Sequence, residues 1–289
     1  MTMKIYMLWD MEGTSGLFTR EQAWYWEPGA REHIGEEGRR LLMADVNAAT
    51  AAALDAGADE VIVCDTHHGG GNIRIDEMLA DPRITYHGRS RAVAPEGTLE
   101  GQRGRWMPGL DETVDAFMCP GHHAKAGTPN AFMPHTSSLE WLDFRINGQS
   151  VGEIGLEACY AGHFGVPLTF VQGDEAACRE AEEQFPGVVT AAVKRAEGEW
   201  VATGLEPEAA RRLTAEKVAE AVTRARSAAR PAPFKPDLPM TVTVRMATVQ
   251  GAEKVAQRPG VRRVDEHTVE GHVSRQCDVL KWLTGDGLD

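Results

Sequence analysis

The sequence contains no apolar run approaching the roughly 20 residues that a helix needs to cross a bilayer. A membrane is therefore not an expected partner. Runs of Lys and Arg are also missing, and 43 acidic side chains against 30 basic ones give a net charge of -13. Nucleic acid is not an expected partner either, because no basic stripe is available to follow a phosphate backbone.

The sequence also lacks the features of an exported protein. Its start, MTMKIYMLWDMEG, reaches acidic residues too early to be a basic segment followed by an apolar signal segment. The cysteines are odd in number and show no CxxC spacing for a metal. Buried thiols in a reducing compartment are therefore predicted, and with them a cytoplasmic protein. The five cysteines are Cys64, Cys119, Cys159, Cys178 and Cys277.

Strands and helices alternate along most of the chain. The 289 residues, 42% of them hydrophobic, suffice for a large core. An apolar run at Lys4–Trp9 predicts a buried strand, and a helical pattern follows from about Arg31 to Ala56. The β-branched run at Val61–Val63 comes next. Strand, helix and strand at this spacing predict a βαβ unit and hence a parallel sheet.

The same alternation continues to about residue 190. Beyond it, the proline-rich segment 230–239 predicts a stiff connector. The predicted fold is α/β: a mostly parallel sheet flanked by helices, with a smaller C-terminal α+β portion. Residues 1–190 would form the metal-binding catalytic domain, and residues 191–289 a smaller region for packing and assembly. Further strands are predicted at Ala116–Cys119, Leu168–Gln172, Val188–Lys194, Thr241–Met246 and around Val264–Val269, and helices at about 152–164, 207–228, from 252, and ending near Leu283.

Three of the predicted strands end in side chains that bind metals. The first is followed by Asp10-Met11-Glu12, the second ends in Asp65-Thr66-His67-His68, and the third is followed by Gly121-His122-His123. Ligands of parallel α/β sheets bind just outside the carboxyl ends of the strands. Carboxylates and imidazoles are ligands of zinc and similar divalent ions, and one Asp can bridge two ions. Glu153, in the first turn of a predicted helix, could complete this metal site.

Each of these residues also has a simpler explanation. An Asp-x-Glu after a strand commonly caps a helix, a single His is commonly structural, and the helix dipole favours a Glu in a first turn. The concurrence at three strand ends favours the metal site. Gly69–Gly71 does not indicate a phosphate loop, because neither Lys-Ser/Thr nor a GxGxxG helix follows it. The three glycines more simply let the backbone pass close to a ligand.

The motifs also resemble those of a known family. Five segments resemble, in order, the motifs of the D-aminopeptidase family of metallopeptidases, the DppA or M55 family: WDMEGTSG (9–16), DTHHGGGN (65–72), GHHAKAGT (121–128), HTSS (135–138) and NGQSVGEIGLEACYAGHFGVP (147–167). The similarity continues through VKRAEGEWVATGLEPEAARRL (193–213) and so covers most of the chain.

The resemblance implies a centre with two zinc ions per chain. The same ligands also suit other divalent ions. Carried over to this sequence, it makes Asp10 the bridging ligand. Glu12 and His67 would bind one ion, and His123 and Glu153 the other.

The family pattern selects one member of each His-His pair. His67 is preferred to His68 because the pattern reads Asp, small hydroxyl residue, His. His123 is preferred to His122 because the family's histidine directly precedes Ala.

One segment departs from the family. Its best-known member is credited with a cysteine nucleophile after the GHHA-like motif, but residues 128–138 here hold no cysteine, and Cys119 precedes the motif. The expected nucleophile is then a metal-bound water, whose pKa zinc can lower to about 7. His135 is the expected catalytic residue, as general acid or as donor to the developing oxyanion. Its alternative is a polar loop histidine.

Together these inferences predict an enzyme, a metal-dependent hydrolase. The resemblance implies an aminopeptidase that hydrolyses N-terminal D-amino acids from short peptides, and a homo-oligomer in the form of a decameric ring. One alternative is a metallohydrolase of another small amide or ester. The other is a non-catalytic metal- or ligand-binding relative, which is disfavoured because structural metals usually have four protein ligands, often cysteines.

Overall fold

The computed structural model describes residues 2–87 and 107–281. Its strands are β1 (Lys4–Trp9), β2 (Glu60–Asp65), β3 (Ile84–His87), β4 (Ala116–Cys119), β5 (Trp141–Ile146), β6 (Gln149–Val151), β7 (Leu168–Asp174), β8 (Val189–Gly198), β9 (Val201–Gly204), β10 (Met240–Met246), β11 (Val261–Arg263) and β12 (Thr268–Val273). Its α-helices are α1 (Arg20–Ala23), α2 (Glu32–Asp55), α3 (Glu153–His163), α4 (Glu175–Gln184), α5 (Pro207–Ala225) and α6 (Val249–Val255).

The larger sheet has the strand order β3-β2-β1-β4-β7-β8-β9. Strand β1 pairs in parallel with β2 on one side and with β4 on the other. Among the described strands of this sheet, β9 alone runs antiparallel to its neighbour. The carboxyl ends of β2, β1 and β4 therefore lie side by side at one edge.

Strand β1 is buried on both faces, as its apolar run predicts. Ile5, Met7 and Trp9 belong to the core that β1 shares with α2 and α5. Tyr6 and Leu8 point to the opposite face and join the core formed with α3 and the second sheet. The parallel sheet is thus covered by helices on one face and by a mixed layer on the other.

The second sheet is antiparallel and has the order β11-β12-β10-β5-β6. Its β5–β6 hairpin, absent from the sequence prediction, turns at Asn147 (φ 48°) and Gly148 (φ 83°). Asn-Gly is a strong hairpin signal, because both turn residues need positive φ. The hairpin leads directly into α3. A boundary at residue 190 stays a prediction, and this sheet takes strands from both sides of it.

The predicted α/β class is confirmed, with small shifts at element ends. Helix α6 begins at Val249, ahead of the predicted Ala252, because Thr248 Oγ1 accepts a hydrogen bond from Gly251 N at 3.0 Å and caps the helix. The closing helix appears as a 3₁₀ turn at Gln276–Leu280, and Leu283 lies outside the described residues.

The predicted burial of the thiols is confirmed for four of the five cysteines. Cys64, Cys119, Cys159 and Cys178 are buried, Cys277 is half-buried, and all five are free thiols. Within residues 2–87 and 107–281, no helix has the length and apolarity that a bilayer crossing requires.

The loops after β1 and β4 are held together through their backbones. Asp10 N donates to Pro120 O at 3.1 Å, and Gly13 N donates to Gly121 O at 2.6 Å. A Cβ atom at Gly121 would overlap the carbonyl oxygen of Asp10, and φ at Gly121 is +76°. Only glycine fits this contact.

Gly121→Ala should therefore destabilise the protein more than Gly127→Ala. Gly127 has the same φ of +76°, but a Cβ there would meet nothing within 4 Å. Both variants carry the positive-φ penalty of about 1–2 kcal/mol, and only Gly121→Ala adds an overlap costing about 1–3 kcal/mol. Thermal melting should show a clearly lower Tm for Gly121→Ala, with reduced zinc binding. Equal losses in the two variants would contradict the close packing of the loops.

Candidate metal centre

Four of the five predicted ligands lie at the edge where β2, β1 and β4 end. Asp10 and Glu12 follow β1, His67 follows β2, and His123 follows the Pro120-Gly121 turn after β4. All four are buried. The sheet order explains this convergence, since β1 lies between the other two strands.

The first cluster consists of Asp10, Glu12 and His67. His67 Nδ1 lies 2.8 Å from Asp10 Oδ1 and 3.1 Å from Glu12 Oε2. Trp24 Nε1 donates to the other oxygen of Glu12 at 2.6 Å and fixes that carboxylate. Ligand atoms of all three residues lie within 4.8 Å of one another.

The second cluster consists of Asp10, His123 and Glu153. His123 Nε2 lies 3.5 Å from Asp10 Oδ2 and 3.3 Å from Glu153 Oε1. Glu153 is the first residue of α3, so the β5–β6 hairpin positions it. The two oxygens of Asp10 thus face different clusters, Oδ1 toward His67 and Oδ2 toward His123.

Backbone carbonyl groups orient both imidazoles. His67 Nε2 lies 3.0 Å from Ala23 O, and His123 Nδ1 lies 3.0 Å from Ala124 O. A carbonyl oxygen only accepts, so these outer nitrogens donate. The inner nitrogens face the carboxylates, and a cation bound there would take the place of a proton.

The buried charges in the two clusters stabilise one another. Burial favours the neutral form of Glu12, but His67 and the other imidazoles hold the pKa of Glu12 well below its usual range. Burial acts the same way on Glu153, yet His123 lowers its pKa to about 2. Conversely, burial disfavours the charged imidazoles, but the carboxylates raise the pKa values of His67 and His123 well above normal.

Two buried atoms in the clusters lack a hydrogen-bond partner. They are Glu12 Oε2 and His123 Nε2. A buried polar atom without a partner is costly, so a missing ligand is the usual explanation. Carboxylate and imidazole donors at this spacing fit a divalent ion such as zinc.

His135 lies directly beside the second cluster. Its ring stacks on His123, with centroids 3.9 Å apart and an interplanar angle of 11°. Its Nε2 lies 3.7 Å from Glu153 Oε1, while Nδ1 lies 2.9 Å from Met133 O. Burial and the neighbouring His123 lower the pKa of His135, which favours a neutral imidazole. Its catalytic role stays a prediction.

The histidines not selected in the sequence contact other side chains. His68 adopts φ 48° and stacks on Trp26 at a centroid distance of 3.9 Å. His122 Nε2 pairs with Glu157 at 2.7 Å. Burial, followed by the charge of Glu157, raises the pKa of Cys119 well above normal, which makes it a poor nucleophile.

Two supporting residues escaped the sequence analysis. Trp24 comes from an aromatic segment that looked like an ordinary loop. Lys194 is buried within β8, and its Nζ donates to Glu12 O at 2.6 Å and to Leu17 O. A lysine after the apolar run Val188–Val193 was the available signal.

The clusters open into a cavity of about 360 Å³. Trp24, Trp26 and Leu139 form apolar parts of its wall. Its acidic lining residues are Asp10, Glu12, Glu27, Glu153 and Glu157. Among the lining residues that the structure describes there is neither Lys nor Arg.

A cavity of this kind at the carboxyl edge of a parallel sheet, with two His-carboxylate clusters sharing an aspartate, is typical of metallohydrolases. The profile of the peptidase M55 family, D-aminopeptidase, matches residues 3–284. The chain belongs to this family. The predictions of family membership and of a metal-dependent hydrolase are thereby confirmed.

Two known proteins make the similarity specific. A D-aminopeptidase of Bacillus subtilis (strain 168) is 36% identical over 220 residues, 76% of this chain and 74% of that protein. The solved structure of the Zn-dependent D-aminopeptidase DppA from Bacillus subtilis, described as a self-compartmentalizing protease, matches with a TM-score of 0.85. That match has 29% identity and covers 97% of this chain and 95% of that chain.

Proposed function

We propose that this chain is a zinc-dependent aminopeptidase that hydrolyses N-terminal D-amino acids from short peptides. The observation that carries the proposal is the pair of clusters joined by Asp10, each of whose oxygens faces a different histidine. Family membership and the Zn-dependent Bacillus structure support it.

In this proposal two zinc ions would be held at the two clusters, and Asp10 would be shared between them. Glu12 and His67 complete the site of one ion, and His123 and Glu153 that of the other. Zinc bound there supplies a Lewis acid that polarises the scissile carbonyl and makes water nucleophilic near neutral pH. Trp24 and Lys194 hold Glu12 in place through its side chain and its backbone carbonyl.

His135 manages a proton in the proposed reaction. Its lowered pKa keeps the imidazole neutral at pH 7, so it can accept a proton and pass it to the leaving amine. The carbonyl of Met133 and the ring of His123 fix its orientation. The absence of cysteine from residues 128–138 agrees with a mechanism without a thiol nucleophile.

Away from the two proposed zinc sites, the cavity wall favours the amino end of a peptide over the carboxyl end. Five acidic residues line the described wall, and no Lys or Arg is present there to bind a terminal carboxylate. The walls formed by Trp24, Trp26 and Leu139 suit a small apolar side chain such as that of D-Ala. A different small amide or ester is the alternative substrate, and non-catalytic binding is the alternative function.

Assembly is part of the proposal. The Bacillus structure is that of a self-compartmentalizing protease. By analogy, this chain is proposed to form a homo-oligomer that encloses its active sites. The family resemblance adds a decameric ring to the proposal, and the unpaired cysteines add a cytoplasmic location.

The zinc content of variants should show whether Asp10 is shared by two ions. The wild-type protein should hold about two zinc ions per chain after reconstitution. Asp10→Ala should lower the occupancy of both sites, because its carboxylate serves both, whereas Glu153→Ala should retain about one ion. Elemental analysis after desalting measures this. A wild-type protein that never exceeds one tightly bound ion rules out the dinuclear centre.

A substrate panel tests the function itself. D- and L-alanine p-nitroanilide, their N-acetylated forms and short dipeptides should be incubated with zinc-loaded, chelated and re-loaded protein. Turnover is expected for free-amine D substrates and only with zinc. Preferential cleavage of N-acetylated amides would support the alternative hydrolase. No turnover of any compound by fully loaded protein would support the binding-only function.

His135→Ala should lower kcat by roughly 10²–10⁴, the usual contribution of a general acid or base. Zinc content and Tm should change little, since His135 is not in either Asp10 cluster. His68→Ala is the matched control, from the same cavity wall, and should cost far less. Because His135 also lies near Glu12 and His123, zinc loss in His135→Ala would identify it as a ligand instead.

A further inference from the structure

Glu157 is a buried carboxylate in the metal cavity that belongs to neither Asp10 cluster. It lies one helical turn after Glu153 on α3, so both side chains project from the same face of the helix. Glu157 lines the cavity next to Leu156 and is only 2% exposed. Burial raises the pKa of Glu157, His122 opposes this rise, and the like charges of Glu153 and Asp10 add to it, which places Glu157 beside the second cluster.

One oxygen of Glu157 is already occupied. His122 Nε2 donates to Glu157 Oε2 at 2.7 Å, and the His122 ring is held through Nδ1, 3.1 Å from Pro120 O. The Cys119 thiol approaches the same Oε2 at 3.7 Å. No residue within the described ranges donates to Oε1. Because Glu157 lines the cavity, Oε1 is available to a donor bound there.

The other acidic groups of the cavity already have partners. Asp10, Glu12 and Glu153 face the histidines of their clusters. Glu27 pairs with Arg20, which itself lies outside the lining. His122 already supplies a donor to Oε2, and no Lys or Arg lines the described wall, so a cationic donor to Oε1 would come from the ligand.

We propose that Glu157, oriented by His122, binds the protonated amino terminus of the substrate. This rests on the proposed aminopeptidase function. The α-amino group is separated from the scissile carbonyl carbon only by Cα, so it must lie close to the metal clusters. A lysine side-chain ammonium would sit several bonds farther away. Glu157 therefore recognises the α-ammonium group, and productive binding requires a free amino terminus.

The test is Glu157→Gln, which keeps the size of the side chain and can still accept a hydrogen bond from His122. KM for D-alanine p-nitroanilide should rise about tenfold or more, because a charge-assisted bond is lost, while kcat changes less than about threefold. Calorimetry with sec-butylamine, which carries the ammonium but no scissile bond, should show a similar loss of affinity. Binding of 2-butanol, its hydroxyl counterpart, should not change.

Two further variants separate substrate binding from a structural role. Cys119 also approaches Glu157 Oε2 but does not line the cavity. In Cys119→Ser, KM for D-alanine p-nitroanilide should therefore stay within about twofold of the wild-type value. Glu157→Asp keeps the charge but retracts it, and an intermediate KM is expected. Zinc content and Tm of all three variants identify any folding defect. A Glu157→Gln protein that loses zinc, or loses kcat at constant KM, would overturn the proposal.

The source of the ammonium is tested with 6-aminohexanoyl p-nitroanilide, which has only a distant amine. A larger effect of Glu157→Gln on this compound than on D-alanine p-nitroanilide would assign Glu157 to side-chain recognition and overturn the proposal. If wild-type protein cleaves no aminoacyl substrate, the proposed function fails. The sec-butylamine titration then still decides whether Glu157 binds an ammonium group, because unchanged affinity would refute it.

Discussion

Three carboxylates meet at one site, two from the carboxyl edge of the parallel sheet and one from the start of α3, and the rest of the structure is arranged around this constraint. Asp10, Glu12 and Glu153 would repel one another strongly without positive charge between them. His67 and His123 supply that charge when protonated, and divalent cations would supply more of it while releasing the imidazole protons. Cations bound among these carboxylates would therefore stabilise the folded protein. The repulsion between the carboxylates is not relieved by movement, because the surrounding fold holds all three in place.

The second sheet is part of this restraint. Its β5–β6 hairpin leads directly to Glu153, the first residue of α3. The proline-rich connector crosses the other end of α3. Asn147 Nδ2 donates to Asp237 O at 2.9 Å, which ties the hairpin turn to the connector. At Gly162 a side chain would collide with the backbone of Phe234 in that connector. Helix α3 is thus fixed at both ends, and its first residue cannot drift from His123.

The sequence allowed the parallel sheet and the residues at its edge to be predicted, because both follow from local patterns. Lys4–Trp9 is apolar throughout, and polar groups after three such strands must meet if the strands are neighbours. The β5–β6 hairpin was missed although Asn147-Gly148 signals it, since its flanking strands are short and mixed in polarity. Trp24, Lys194 and the His122–Glu157 pair could not be derived, because their roles depend on contacts between distant segments. The choice of one histidine from each pair as a ligand came from the family pattern and stays a prediction; in the structure His67 and His123 face Asp10.

The positions around the cavity differ in how well they tolerate substitution, and the glycine contact between the β1 and β4 loops is one reason. At Gly121 any side chain would strike the Asp10 backbone, so the floor of the cavity can accept almost no variation without losing its shape. Trp26 and Leu139 on the rim are partly exposed, at 38% and 44%, and of these two Trp26 stacks on His68. New substrate preferences can therefore arise on the rim while the chemistry below stays intact. For protein engineering, this favours libraries built at the rim over mutagenesis of the strand ends.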